Sequence, residues 1–162
     1  MPPCLGSARP KFLIIFGRVE VRRIEKFAFE QRVPGQDLDA TSTSLLVDGK
    51  PAGFAIEGLQ IVDQFDTGRG YLLVTDYNDP WEEQTVVTLL DAEFKQVAKK
   101  RLGRFFYVFP SRTFSVKAID IDGESLLFHG SSPEEGRYRL AVTDVRRLLG
   151  PRVGLKAAWD RG

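Results

Sequence analysis

The feature that most constrains the fold is a pair of apolar, β-branched runs, residues 71–75 and 85–90, joined by a short polar segment. β-branched and aromatic residues favour strands, and nearly continuous apolar runs are typical of strands that are covered on both faces. We therefore expect two neighbouring strands at the centre of a sheet.

The remainder of the chain also carries strand signals. Asp48-Gly49 and Asp122-Gly123 are hairpin signals, and turn residues recur roughly every ten residues between short strand-like runs. This spacing predicts an all-β protein: one antiparallel meander, closed as a barrel or folded as a two-sheet sandwich.

Only the end of the chain suggests a helix. Thr143 or Asp144 can cap a short helix that runs to Leu149, where Gly150-Pro151 would stop it. We expect the all-β domain to span residues 11–150, with a mobile leader at 1–10 and a mobile tail at 151–162.

Composition indicates a single cytoplasmic domain. A chain of 162 residues buries roughly 70% of its unfolded surface, enough for a core without disulfides. Cys4 is the only cysteine, and no apolar run has the length of a signal peptide core or a membrane span. We expect no membrane partner and no cofactor.

The net charge of +1 conceals a segmental pattern. Residues 34–94 hold twelve acidic and two basic groups, whereas residues 95–117 hold seven basic groups and no acidic one. Such blocks either pair within the fold or form separate patches for outside partners. We expect pairing across adjacent strands.

The polar segment between the two apolar runs, residues 76–83, is the candidate site and is called the acidic loop below. Four carboxylates surround one tryptophan there, and because water must solvate the charges, we expect the indole near the surface. Tryptophan supplies large contact area and carboxylates attract a basic partner, so the loop suits protein binding. The predicted contact residues are Asp76, Tyr77, Asn78, Asp79, Trp81, Glu82 and Glu83.

Two other interpretations of the acidic loop remain open. Asp, Asn and Pro are ordinary turn formers, so the loop could simply connect two strands. The spacing of Asp76 and Asn78 is found in calcium loops, but Pro80 occupies the next ligand position and Val87 stands where the closing Glu belongs. A looser divalent site that includes Asp63 or Asp66 is a further interpretation, and we predict no metal.

The segment YLLVTDYNDPWEEQTVVTLLD resembles one found in small all-β bacterial proteins, several uncharacterised and some of them immunity proteins of toxin systems. The resemblance covers about twenty residues and consists mainly of residue classes. It implies a binding protein, such as an immunity protein. The carboxylates of the acidic loop favour a basic partner, such as a nuclease or another toxin that acts on nucleic acid.

The basic segment could instead bind nucleic acid. Basic residues are intermixed with aromatic ones over residues 95–117, as on sheets that hold single-stranded nucleic acid. However, the aromatic spacing is that of a core strand, no RNA-binding motif is present and the global charge is not basic, so we do not expect it.

Two more functions, catalysis and the transport of a small molecule, can be weighed from the residues. His129 is the only histidine, and Ser131, Ser132 and Asp144 lie near it in sequence without triad spacing; Asp76 with Glu83 is a possible carboxylate pair. We expect no enzyme.

The 18 aromatic residues, counted as 12 Phe, 4 Tyr and 2 Trp, also suit a barrel that carries an apolar ligand. This carrier function is the main alternative to protein binding.

Overall fold

The computed structural model describes residues 20–32, 41–78, 84–104, 112–131, 136–147 and 150–160. These residues form an all-β structure with antiparallel pairing throughout. The strands are β1 Arg22–Arg23, β2 Phe27–Phe29, β3 Ser42–Val47, β4 Lys50–Glu57, β5 Gln60–Asp66, β6 Tyr71–Asp76, β7 Val86–Leu90, β8 Gln96–Arg101, β9 Gly103–Arg104, β10 Arg112–Thr113, β11 Val116–Asp122, β12 Ser125–Gly130, β13 Arg137–Arg147 and β14 Gly150–Asp160.

The two apolar runs lie inside a five-stranded sheet of order β1-β5-β6-β7-β8. All five residues of β7 are buried, as are Leu72, Leu73, Val74 and Thr75 of β6. Alternate residues of β6 enter two different cores: Leu72 and Val74 belong to the first, and Leu73 belongs to the second. The prediction of central strands covered on both faces is confirmed.

The first core lies between this central sheet and a four-stranded sheet of order β11-β12-β13-β14. The second sheet contributes alternate apolar side chains, including Ile119, Phe128 and Leu140, which meet Phe65 and Val87 of the central sheet. Asp122-Gly123 begins the turn that connects β11 to β12, as the hairpin signal predicts.

The second core lies on the opposite face of the central sheet, under a three-stranded sheet of order β2-β3-β4. Phe27, Leu45 and Ile56 of the smaller sheet pack on Leu73 and Leu90. Its β3–β4 hairpin turns at Asp48 and Gly49, whose φ values of 49° and 77° are those of a type I′ turn.

The predicted C-terminal helix is wrong. Residues 137–147 form β13, which pairs residue by residue with β14 from Arg137↔Asp160 to Arg147↔Gly150. The segment expected to be a mobile tail therefore supplies a strand over Gly150–Asp160. Pairing is favoured because it lets Val142 and Leu155 pack against the first core, which a short surface helix would not achieve.

The described strands form separate sheets and do not close into a barrel. In the part of the chain that the structure describes, no helix is long and apolar enough to cross a membrane. The expected leader, residues 1–10, lies outside the described residues.

Two fully buried threonines of the central sheet give a matched pair of predictions. The Thr75 hydroxyl donates to the Glu57 carbonyl at 2.6 Å, whereas the Thr88 hydroxyl has no hydrogen-bond partner among the described residues. Valine has nearly the same shape, so Thr88→Val should raise the free energy of unfolding by about 1 kcal/mol and Thr75→Val should lower it by about 1.5 kcal/mol. Urea unfolding of both variants checks this; a destabilised Thr88→Val protein would show that its hydroxyl is satisfied.

Candidate functional site

The acidic loop begins where β6 ends. The Asp76 carbonyl accepts the Leu59 amide at 2.7 Å, and the Asp76 carboxylate accepts the Asn78 amide at 3.0 Å. Asn78 has a φ of 48°, a left-handed conformation that asparagine tolerates in turns. Asp79, Trp81, Glu82 and Glu83, which are also predicted contact residues, lie outside the described residues.

Tyr77 corrects one expectation about the loop. We predicted it as a contact residue, but its side chain is buried and its hydroxyl donates to the Glu57 carboxylate. This hydrogen bond connects residue 77 to the end of β4, and little of the ring is exposed. Asn78, in contrast, is exposed, and Asp76 is half-buried.

Glu57 is the centre of a polar cluster that sequence reasoning missed. It is the last residue of β4 and only 5% exposed, and its carboxylate also binds Lys99 at 2.6 Å and Arg101 at 2.7 Å. The cluster therefore joins the smaller sheet, the start of the acidic loop and the edge strand β8.

The electrostatics of the cluster favour the ionised acid. Burial by itself raises the pKa of Glu57, but hydrogen bonds from Arg101, Lys99 and Tyr77 outweigh it and lower the pKa to about 2. The same contact with Glu57 raises the pKa of Arg101. An acid held ionised by donors on three sides is suited to fixing structure and unsuited to proton transfer near neutral pH.

The expected pairing of the two charge blocks is found, among the described residues, at one acid only, and β4 and β8 belong to different sheets and are not adjacent strands. Glu57 of the acidic block binds Lys99 and Arg101 of the basic block. Three other acids of the 34–94 block form ion pairs with basic residues from the N-terminal part of the chain. These pairs are Arg22–Asp66, Arg23–Asp63 and Lys26–Asp48.

These ion pairs also bear on the divalent interpretation, since they engage both Asp63 and Asp66. Among the described residues, no group of three or more His, Cys, Asp or Glu side chains is placed to hold a metal ion.

The basic and aromatic segment is not arranged as a stacking platform in its described part. Phe114 is 1% exposed in the first core, and Phe94 stacks on Tyr71 with ring centroids 5.4 Å apart. Residues 105–111, which carry the remaining aromatic side chains of this segment, lie outside the described residues. The described rings are thus used for packing.

The candidate catalytic residues have separate partners. The Nε2 atom of His129 lies 2.8 Å from an Asp120 oxygen on the face of the second sheet that points away from the first core. Asp144 binds Arg69 at 3.3 Å, and the Ser131 hydroxyl donates to the Ser115 carbonyl at 3.0 Å. Ser132 and Glu83 lie outside the described residues.

A groove between the edge strand β2 and β5 has a volume of about 630 Å³. Its lining is mixed, with Phe27, Phe29 and Ile61 beside Arg23 and Glu25. This volume lies within the range of small-molecule sites, roughly 300–1,000 Å³. The groove borders the second core, to which Phe27 belongs and against which Phe29 and Ile61 pack.

Comparison of the chain with protein-family models, with curated proteins and with solved structures finds no match in any of the three.

Proposed function

We propose that this protein is a non-enzymatic binding domain whose acidic loop contacts a basic surface on another protein. The proposed contact residues are Asp76, Asn78, Asp79, Trp81, Glu82 and Glu83. Tyr77 serves as the anchor.

One observation carries the proposal. The two cations that share Glu57 with Tyr77 are engaged by that buried carboxylate, while Asp76 has no ion-pair partner among the described residues. Glu57 thus partly neutralises the nearby positive charge, and Asp76 contributes a carboxylate without an ion-pair partner among the described residues at the start of the loop. A negative patch of this kind speeds association with a basic partner and repels acidic ones.

The partner class follows from the same chemistry and from the resemblance of residues 71–91 to a segment of bacterial immunity proteins. A toxin that acts on nucleic acid has a basic active site, and an acidic loop bearing an indole would cover it by charge and by shape. The proposal places the protein in the bacterial cytoplasm, where such a toxin would act.

Replacing Trp81 with alanine together with Glu82→Lys and Glu83→Lys tests the proposal. Loss of the aromatic contact and reversal of two charges should weaken partner binding about 100-fold or more. The melting temperature should change by only about 2 °C if these residues contribute little to the fold. The measurement is retention of a basic protein from a lysate of the source organism, followed by titration with that purified protein.

The matched control reverses two acids elsewhere, Glu93→Lys with Glu124→Lys, both exposed residues in turns. This variant has the same change in net charge as the double lysine replacement in the loop and should retain the partner. If it loses the partner equally, only net charge matters and the loop is not the site. If the loop variant unfolds, the loop is structural.

A second candidate function is supported by the groove between β2 and β5, whose volume and partly apolar lining suit a small apolar ligand. Native mass spectrometry of freshly purified protein separates the two proposals. The binding-domain proposal predicts the mass of the chain alone; a bound apolar molecule that is lost on Phe29→Asp replacement would favour the carrier.

A further inference from the structure

We infer that Glu57 is a positioning residue for the acidic loop, because its buried carboxylate holds the Tyr77 hydroxyl and thereby fixes residues 76–78 before any partner binds. The inference deepens the proposed function and rests on it. It assigns a role in binding to a side chain that is itself too buried to touch a partner.

Glu57 is held in place from two sides. On one side its carboxylate is bound by Lys99 and Arg101 of β8. On the other side the adjacent Gly58 is held at both backbone groups: its amide donates to the Thr41 carbonyl at 2.8 Å, and its carbonyl accepts the Thr43 hydroxyl at 2.7 Å. The Glu57 carboxylate, which accepts the hydrogen bond from Tyr77, is therefore held in one position.

Residues 76–78 are held beside Glu57 by more than one contact. The Tyr77 hydroxyl donates a hydrogen bond to the Glu57 carboxylate. The Asp76 carbonyl accepts a hydrogen bond from the backbone amide of Leu59, which follows Gly58 in the chain. The Asn78 amide then bonds to the Asp76 carboxylate. Loss of the hydrogen bond from Tyr77 to Glu57 would weaken the hold on the ring and on the two contacts of Asp76 beside it.

Ordering a segment during association costs conformational entropy, so a partner binds more tightly when residues 76–78 are already held in place. Electrostatic steering depends on the carboxylates, which the anchor does not change. The anchor should consequently affect how long a complex lasts more than how fast it forms.

The test compares Tyr77→Phe, which removes only the hydroxyl, with Tyr71→Phe at the start of β6, where the ring packs on Phe27 and Phe94. Hydrogen exchange of the Leu59 and Asn78 amides should become about tenfold faster in Tyr77→Phe. The Thr67 amide, which donates to the Gly70 carbonyl at 3.0 Å, is the internal reference and should not change. Unchanged exchange at Leu59 and Asn78 would overturn the inference.

A second readout uses an oligolysine peptide of about twenty residues as the basic probe, at a temperature where all variants are folded. Tyr77→Phe should raise the Kd for the peptide about fivefold and leave the salt dependence of binding unchanged. Glu57→Gln keeps an acceptor for the Tyr77 hydroxyl, so it should bind the peptide more tightly than Glu57→Ala does. Equal loss in the Gln and Ala variants would contradict the positioning role.

The two proposals fail in different ways. If oligolysine binds the Glu82→Lys and Glu83→Lys protein as well as the wild type, the proposed function is wrong. The exchange rates at Leu59 and Asn78 still decide whether Glu57 positions the loop.

Discussion

Replacing Glu57 with alanine is expected to lower the free energy of unfolding by about 3 kcal/mol at neutral pH. The substitution removes the acceptor of the buried Tyr77 hydroxyl and leaves Lys99 and Arg101 without their shared counter-ion. The loss stays below that of a fully buried ion pair because the side chains of Lys99 and Arg101 are 38% and 49% exposed and can be rehydrated.

The pH dependence of stability separates the charge of Glu57 from its packing. The pKa is lowered from 4.5 to about 2 on folding. The unfolded chain binds the proton more readily, so this stabilisation is complete above pH 4.5 and is lost as the pH falls towards 2. It amounts to about 3 kcal/mol at most.

Urea unfolding of the wild type and Glu57→Gln at several pH values measures this contribution. The difference in stability between the two proteins should be largest above about pH 5 and should shrink steadily as the pH falls from 4.5 to about 2. A difference that does not vary with pH would show that the carboxylate is not held ionised by its donors.

Gly70→Ala is expected to be at least as destabilising as Glu57→Ala, lowering the free energy of unfolding by about 3 kcal/mol or more. Gly70 immediately precedes the central strand β6 and has a φ of 144°, and a Cβ atom there would lie 2.3 Å from the Leu90 carbonyl oxygen. That oxygen belongs to the buried strand β7, so relieving the clash requires the two central strands to separate.

Gly53→Ala is the matched control for this substitution. Gly53 also has a positive φ, 79°, but a Cβ atom there meets nothing within 4 Å. Its expected loss of about 1 kcal/mol reflects backbone conformation alone. If urea unfolding gives both alanine variants the same stability, the close approach of Gly70 to β7 is not real.

The centre of the fold could be predicted from sequence because its signal is local. Continuous apolar runs identify β6 and β7 as buried on both faces, and the Asp-Gly turns locate two hairpins. The division into three layers could not be predicted in this way. It depends on which strand covers which face, and the smaller sheet of β2, β3 and β4 has no distinctive composition of its own.

The wrong helix illustrates the limit of local patterns. Residues 143–149 contain a capping residue and apolar spacing compatible with one helical turn. The decisive information is the partner strand: β14 pairs along the whole of β13, and Leu155 and Trp159 pack against the first core. Long-range pairing of this kind overrides a weak local preference.

The candidate site was predicted only in part. The carboxylates are visible in the sequence, but the anchor is not, because Glu57, Tyr77 and Arg101 are far apart along the chain. One signal was available: Glu57 follows the apolar residues Ala55 and Ile56 at a strand end, where a lone acid must find donors if it is buried.

Fluorescence quenching of Trp81 tests most directly whether the acidic loop displays an indole among carboxylates. In a Trp159→Phe protein, Trp81 is the only tryptophan, and acrylamide, caesium and iodide can be compared at constant ionic strength. We predict efficient quenching by acrylamide and stronger quenching by caesium than by iodide, because carboxylates attract the cation and repel the anion. Weak quenching by all three agents, or stronger quenching by iodide, would contradict an exposed indole ringed by acids.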